Sequence, residues 1–290
     1  MTAGQIAGPA GRMQIARALR SLRARAGLTQ SQAAQLAGVS VGTVNRYEMW
    51  QDRALLRVPT VRTLADAYQA TPDEREALTE LVKAQASGWW MTVPHVPEIL
   101  DPLLSFEGAC EYEHVYAPAL VPGLLQTPRY AHALHQAQDS RAAPEDVEGS
   151  VRARMQRQEI LKRPDLHLWV VLDQAVLLRQ VGGADVMGEQ LDHLLTMSSA
   201  RNVDLQVLPF GAAAKPAGSG GHFVIVGRDD VGNPLESFAI IYLELHRRGL
   251  YLDSPDDVAE YKIMFDYLRS TAANAAASAD LLTAARQEYR

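Results

Sequence analysis

Apolar residues in the first third of the chain recur at the spacing of helix faces. From Arg12 to Ala26 they fall at Ile15, Ala18, Leu19 and Leu22, and the stripe stops at Gly27. Thr29–Ala37 predicts a second short helix, and Val41 to about Trp50 a third. Pro59 and Thr60 open a fourth, with Val61, Leu64, Ala65 and Tyr68 on one face. Pro72 starts a fifth that runs through Leu78, Leu81 and Val82 to about Ala86. Five short helices predict an all-α domain over 12–87, preceded by a disordered arm at 1–11. Residues 88–105, with Trp89–Trp90 and then Pro94, Pro97 and Pro102, read as a linker whose tryptophans bury against a neighbouring domain.

Beyond the linker the period changes. Phe106–Tyr116, Arg129–Gln138 and the charged run Glu145–Lys162 read as helical. His167–Leu172, apolar and bounded by Pro164 and Asp173, reads as a strand. A helix over Asp185–Ala200, a strand at Val203–Leu208, a glycine-rich loop at Gly211–Gly221 and a strand at His222–Val226 follow. Ser237–Leu243 and Leu250–Leu252 are further strand candidates, Val258–Ser270 a helix, and the alanine-rich tail Thr271–Arg290 is helical. Strands with intervening helices predict a larger α/β or α+β domain over 106–290, so the chain is multidomain.

Composition adds an asymmetry that the net charge of −6 conceals. Residues 1–58 hold eight arginines against Glu48 and Asp52, a net +6; residues 1–87 carry +4, and the remainder −10. A basic head on an acidic body points to a nucleic-acid partner for the head, although a solvated charged face has the same composition. The single cysteine, Cys110, excludes an intramolecular disulfide framework and fits a reducing compartment. No apolar run approaches the ~20 residues of a membrane span, and Met1–Met13 lacks the apolar core of a signal peptide. A cytoplasmic protein is expected.

The densest local signal is Thr29–Glu48, TQSQAAQLAGVSVGTVNRYE. Small or apolar residues stand at Ala33, Ala34, Ala37, Val39, Val44 and Tyr47, and Gly38 falls between the two helices, where a tight turn needs positive φ. Thr29 with Gln32 three residues later forms a potential capping box, and Ser40 is placed to cap the following helix. Two short helices joined by a tight turn, the second lying in the major groove of DNA, have this pattern. On those residues the segment resembles the XRE-type (lambda-repressor-like) helix-turn-helix family: Leu28–Thr29–Gln30, Ala34, Gly38–Val39–Ser40 and Tyr47–Glu48 match its typical run. The resemblance implies DNA contacts by Gln30 and Ser31 at the start of the second helix. It implies further contacts by Ser40, Val41, Gly42, Thr43, Asn45 and Arg46 in the first turns of the third. Asparagine reads adenine and arginine reads guanine bidentately, valine and threonine pack on a thymine methyl, and hydroxyls suit phosphates. Two departures stand out. Gly42 lies inside the recognition helix at a cost of about 1 kcal/mol relative to alanine. Met49–Trp50–Gln51–Asp52–Arg53 also replaces the glycine and basic run usual in actinomycete members, leaving Arg53 and Arg57 as phosphate candidates.

Later segments, Val121–Ala131, Arg152–Leu161, Leu172–Gly183, Val203–Phe210 and Tyr251–Asp253, resemble the C-terminal domain of unknown function found in actinomycete XRE-type regulators and described as antitoxin-like. Where Gln174 stands, members often carry glutamate. Enzyme chemistry finds little support. His132 and His135 lack further ligands at metal spacing and read as surface residues. Gly218–Gly221 lacks the setting of a phosphate loop, and Ser219 with His222 lacks a visible acid. Cys110 reads as a small buried hydrophobe. The Arg152, Arg154 and Arg157 cluster reads as a solvated helix face or, less simply, as a site for an acidic partner. The expected protein is a homodimeric, sequence-specific regulator of double-stranded DNA, with no cofactor or metal and no catalytic activity. Its acidic body is expected to supply the dimer contact and to sense a small effector or a protein partner. The alternatives are an antitoxin-like protein that sequesters a small partner encoded nearby, and an enzyme fused to a DNA-binding head.

Overall fold

The computed structural model describes residues 8–51, 55–83, 93–212, 221–229, 237–245 and 248–289. The chain divides into two units. Met1–Met91, Asp101–Ala109 and Asp229–Phe238 form the first; Thr92–Leu100, Cys110–Arg228 and Ala239–Arg290 form the second.

The first unit is helical: α1 (Gly8–Arg25), α2 (Gln30–Ala37), α3 (Val41–Glu48), α4 (Val58–Ala67), α5 (Pro72–Lys83) and α6 (Asp101–Ala109). Its core gathers one stripe from each of the first five helices, with Ile15, Leu19, Leu22, Ala33, Ala34, Val44, Tyr47, Val61, Leu64, Tyr68 and Leu78 buried together. The five-helix reading holds, with two corrections. α1 starts at Gly8, so Gly8–Gly11 are helical rather than part of an arm, and Ala10 is buried. Part of the expected linker is α6, which packs on α1: the Ala10 N–H donates to Ser105 Oγ at 2.9 Å. Phe106 meets Trp50 edge-on at 5.3 Å between ring centroids and lies 5.8 Å from Phe238. A helix supplied from beyond residue 100 cannot be read from the five-helix stripe, because its partners are remote in sequence. Met1–Ala7, Arg53, Trp89–Trp90 and 213–220 of the glycine-rich loop lie outside the described residues.

The second unit is a six-stranded mixed sheet with helices. Its strands are β1 (Tyr112–Ala117), β2 (His167–Asp173), β3 (Val203–Leu208), β4 (Phe223–Arg228), β5 (Phe238–Leu245) and β6 (Arg248–Leu252), in the order β3-β2-β1-β4-β5-β6. β1, β2 and β3 are parallel, with Val115 opposite Val170 and Val170 opposite Leu205. Parallel neighbours need crossovers, which α7 (Pro128–Gln138) and α8 (Pro144–Arg157), then α9 (Gln174–Leu178) and α10 (Ala184–Met197), supply. β4 runs antiparallel to β1, with Val115 opposite Val224. α11 (Pro255–Thr271) and α12 (Ala275–Gln287) complete the unit. Phe265 and Leu268 of α11 pack on Tyr116, Val171, Phe223, Ile225 and Ile241.

The segment Phe106–Tyr116, expected to be one helix, is corrected: α6 ends at Ala109, and Tyr112 begins β1 at the centre of the sheet. Glu113, buried within β1, and the aromatic residues on the opposite face hide the apolar alternation of a strand. Among the described residues no helix is long and apolar enough to cross a membrane.

Candidate nucleic-acid interface

The helix pair α2–α3 is shaped by its caps. Thr29 Oγ1 accepts the Gln32 N–H at 3.2 Å, while Gln32 Oε1 accepts the Thr29 N–H at 2.9 Å, which closes the capping box. Gly38 ends α2 at φ 65°, ψ 31°, a left-handed conformation that costs glycine nothing. Ser40 Oγ then accepts the Thr43 N–H at 3.0 Å and starts α3. Inward, Ala33, Ala34 and Ala37 of α2 meet Val44 and Tyr47 of α3 in the core; alanines here let the two helices approach closely.

This packing turns the other face of α3 to solvent. Ser31, Ser40, Val41, Gly42, Asn45 and Arg46 are exposed, and Gln30 and Thr43 partly so. The apolar Val41 is 46% exposed at the helix start, where it can pack on a thymine methyl. The Ser40 and Thr43 hydroxyls lie 2.9 Å apart, so both take part in the cap. Gly42 has ordinary room around it: a methyl group built there meets only Ser40 Oγ, at 3.7 Å. The Arg12 guanidinium donates to the Arg46 carbonyl at 3.1 Å, tying α1 to the last turn of α3. Arg57 gives its backbone N–H to Tyr47 Oη at 3.1 Å, fixing the chain where it enters α4.

Beneath this face lies a buried ion pair that motif reading did not anticipate. Glu48 is 1% exposed and accepts Arg23 Nε at 2.7 and 3.0 Å, Tyr68 Oη at 2.9 Å and Gln30 Nε2 at 3.1 Å. Hydrogen bonding to Glu48 holds the Arg23 pKa above its ordinary value. Burial, then the Glu48 carboxylate, pushes the Tyr68 hydroxyl well above the usual phenol range. Gln30 is therefore oriented from below at the start of α2.

In the second unit the residues weighed for chemistry scatter. Cys110 is fully buried. His132 is exposed, but His135 is partly buried, contrary to the surface expectation, and burial lowers its pKa to about 4. Among the described residues no group of three or more His, Cys, Asp or Glu side chains is placed to hold a metal. Gln174 Oε1 accepts the Phe210 N–H at 2.8 Å. The arginine cluster divides: Arg152 is exposed, 3.7 Å from Glu148, while Arg154 and Arg157 are partly buried.

A family model described as a helix-turn-helix domain matches residues 14–78. A second, described as a domain of unknown function (DUF5753), matches residues 100–284. No curated protein and no solved structure gives a significant match.

Proposed function

Because the chain belongs to the DUF5753 family and carries an N-terminal helix-turn-helix domain, we propose that it is a sequence-specific transcriptional regulator of the XRE kind. Double-stranded DNA is its partner. The observation that carries this reading is the capped α2–α3 pair, whose outer face presents Val41, Asn45 and Arg46 beside the N-terminus of α3. In this reading α3 enters the major groove. Asn45 and Arg46 read base edges, Val41 and Thr43 pack on a thymine methyl, and the N-termini of α2 and α3 face phosphates. A single eight-residue helix reads only a few base pairs, so the protein works as a homodimer on a palindromic site. The second unit supplies regulation in the cytoplasm by responding to a small effector or protein partner, without catalysis.

Fluorescence-anisotropy titration of DNA from upstream of its own gene against random DNA tests the reading across a salt series. Arg46→Ala is expected to lose about 1–3 kcal/mol of the preference while random-sequence binding changes less. Equal affinity of the wild-type protein for both DNAs at every salt concentration would overturn it.

A further inference from the structure

The second unit holds a cavity of about 280 Å³ at the carboxyl end of β1, small even for a metabolite site. Its floor is the loop that follows β1, and its other walls include Leu134 of α7, Arg154 of α8, His222 just before β4 and Glu244 on β5. Tyr116 pairs with Phe223, so the loop after β1 and His222 are neighbours. β1 is parallel to β2 and antiparallel to β4. The cavity thus lies where the carboxyl end of β1, the outermost of the parallel strands, meets the start of its antiparallel neighbour β4.

The loop is braced. Gln126 Nε2 donates to the Val121 carbonyl at 2.7 Å, and Gln158 Nε2 donates to the Gly123 and Gln126 carbonyls, each at 2.8 Å. Against it stand two guanidinium groups: a methyl group built on Gly123 would lie 3.1 Å from Arg157 Nη1 and 3.4 Å from Arg154 Nη1. Arg154 Nη1 donates to Gln126 Oε1 at 2.6 Å, a carboxamide that satisfies a hydrogen but neutralises no charge. Among the described residues Arg154 makes no ion pair. Burial, and then Arg157, pull its pKa down to about 10. His222 lines the cavity beside the start of β4, and burial lowers its pKa, which favours the neutral ring. Among the described residues lining the cavity, Glu244 is the one carboxylate, and its charge acts on Arg154 from beyond ion-pair distance. The guanidinium therefore keeps donors for an oxyanion that reaches it.

We propose that this cavity binds a small ligand bearing a carboxylate or phosphate, held by the Arg154 guanidinium with His222 and Gln126 as further hydrogen-bonding groups. As the effector site of the second unit, it rests on the regulatory reading above; as a binding site, it stands on calorimetry alone.

The test titrates the full chain with inorganic phosphate, succinate and glutamate by calorimetry, with DNA affinity read on the same samples. Saturable binding of at least one probe is expected, and which of them binds separates phosphate from carboxylate recognition. Arg154→Met is expected to weaken it about tenfold or more. Arg152→Gln, an exposed cation on the same helix, is expected to leave it unchanged. Glu244 is exposed, so Glu244→Gln keeps the fold, and removing its opposing charge is expected to tighten binding severalfold. No binding of any probe at millimolar concentration overturns the proposal. So does equal loss in Arg152→Gln, or weaker binding in Glu244→Gln. Binding that leaves DNA affinity unchanged supports the site and removes only its sensing role.

Discussion

Two arginines, one in each unit, meet the same problem and are answered differently. Arg23 in the helical unit is closed off by Glu48, and the carboxylate in turn is completed by Tyr68 and Gln30. Arg154 in the sheet unit is given an amide oxygen, a neighbouring cation and, beyond ion-pair distance, the Glu244 carboxylate. A desolvated charge with all its partners supplied from the same unit becomes a fixed joint. One without a carboxylate in ion-pair contact is held at a cost that an anionic ligand would relieve. The difference separates a closed joint beneath the α2–α3 pair from a cavity whose guanidinium keeps unused donors.

The sharpest way to break this comparison is to remove one partner from each. Glu48→Ala strands Arg23 and leaves Tyr68 and Gln30 without an acceptor, so the first unit is expected to lose about 3–5 kcal/mol. Arg154→Met removes an incompletely paired charge, and its cost is expected to stay within about 1 kcal/mol. Urea unfolding followed by hydrogen exchange, which separates residues 8–83 from the sheet, measures both; similar losses would erase the distinction.

Acid should also divide the units. His114 stacks on Phe265 at 4.8 Å, and burial, with His167, Lys262 and Arg269 nearby, lowers its pKa to about 4. Burial lowers His135 to about 4 as well. Above the unfolded histidine value of 6.5 neither state holds the extra proton. As pH falls below it the unfolded chain protonates first, so stability is lost between 6.5 and about 4. Each group is expected to cost the sheet unit about 1–2 kcal/mol at about pH 5. His114→Phe should remove part of that slope, and an unchanged slope in the variant would discard His114 as a cause.

Gly42→Ala is a smaller test. The space around Gly42 admits a methyl group, so the helical unit should gain about 1 kcal/mol in thermal unfolding. An accompanying loss of DNA affinity would assign the glycine to close backbone approach. The smallest effect belongs to Glu74. Hydrogen bonds from Arg25 and from the Thr71 N–H lower its pKa to about 2. Its stabilising contribution is present above 4.5 and is lost as pH falls from there toward 2, by well under 1 kcal/mol because Arg25 is exposed. The helical unit should therefore weaken at lower pH than the sheet unit, a separation that circular dichroism and tryptophan fluorescence can follow.

Legibility in the sequence followed the range of the interactions. The capping box of Thr29 and Gln32, the left-handed Gly38 and the Ser40 cap join residues a few positions apart, and their chemistry could be read directly from the chain. The five helical stripes and strands such as His167–Leu172 were legible too, because one face or a continuous apolar run was buried. β1 was misread because Glu113 is buried on one face while Tyr112 and His114 lie on the other, so its alternation is not one of apolar and polar residues. α6 could not be placed from its own residues, since Phe106 finds Trp50 and Phe238 only in space. Helix spacing recorded three arginines on α8 but not that Arg152 faces solvent while Arg154 and Arg157 turn inward.

The sequence alone determined what depends on neighbours along the chain: helices, caps, the tight turn and the residue types on the outer face of α3. Tertiary structure decided what depends on desolvation. It buried Glu48 with Arg23, and it brought Gln126, Arg154, His222 and Glu244 from four separate segments to one cavity. Whether a charge is a solvated ornament, a structural joint or a receptor is set by its exposure and by the partners that reach it, and both arise only when distant segments pack.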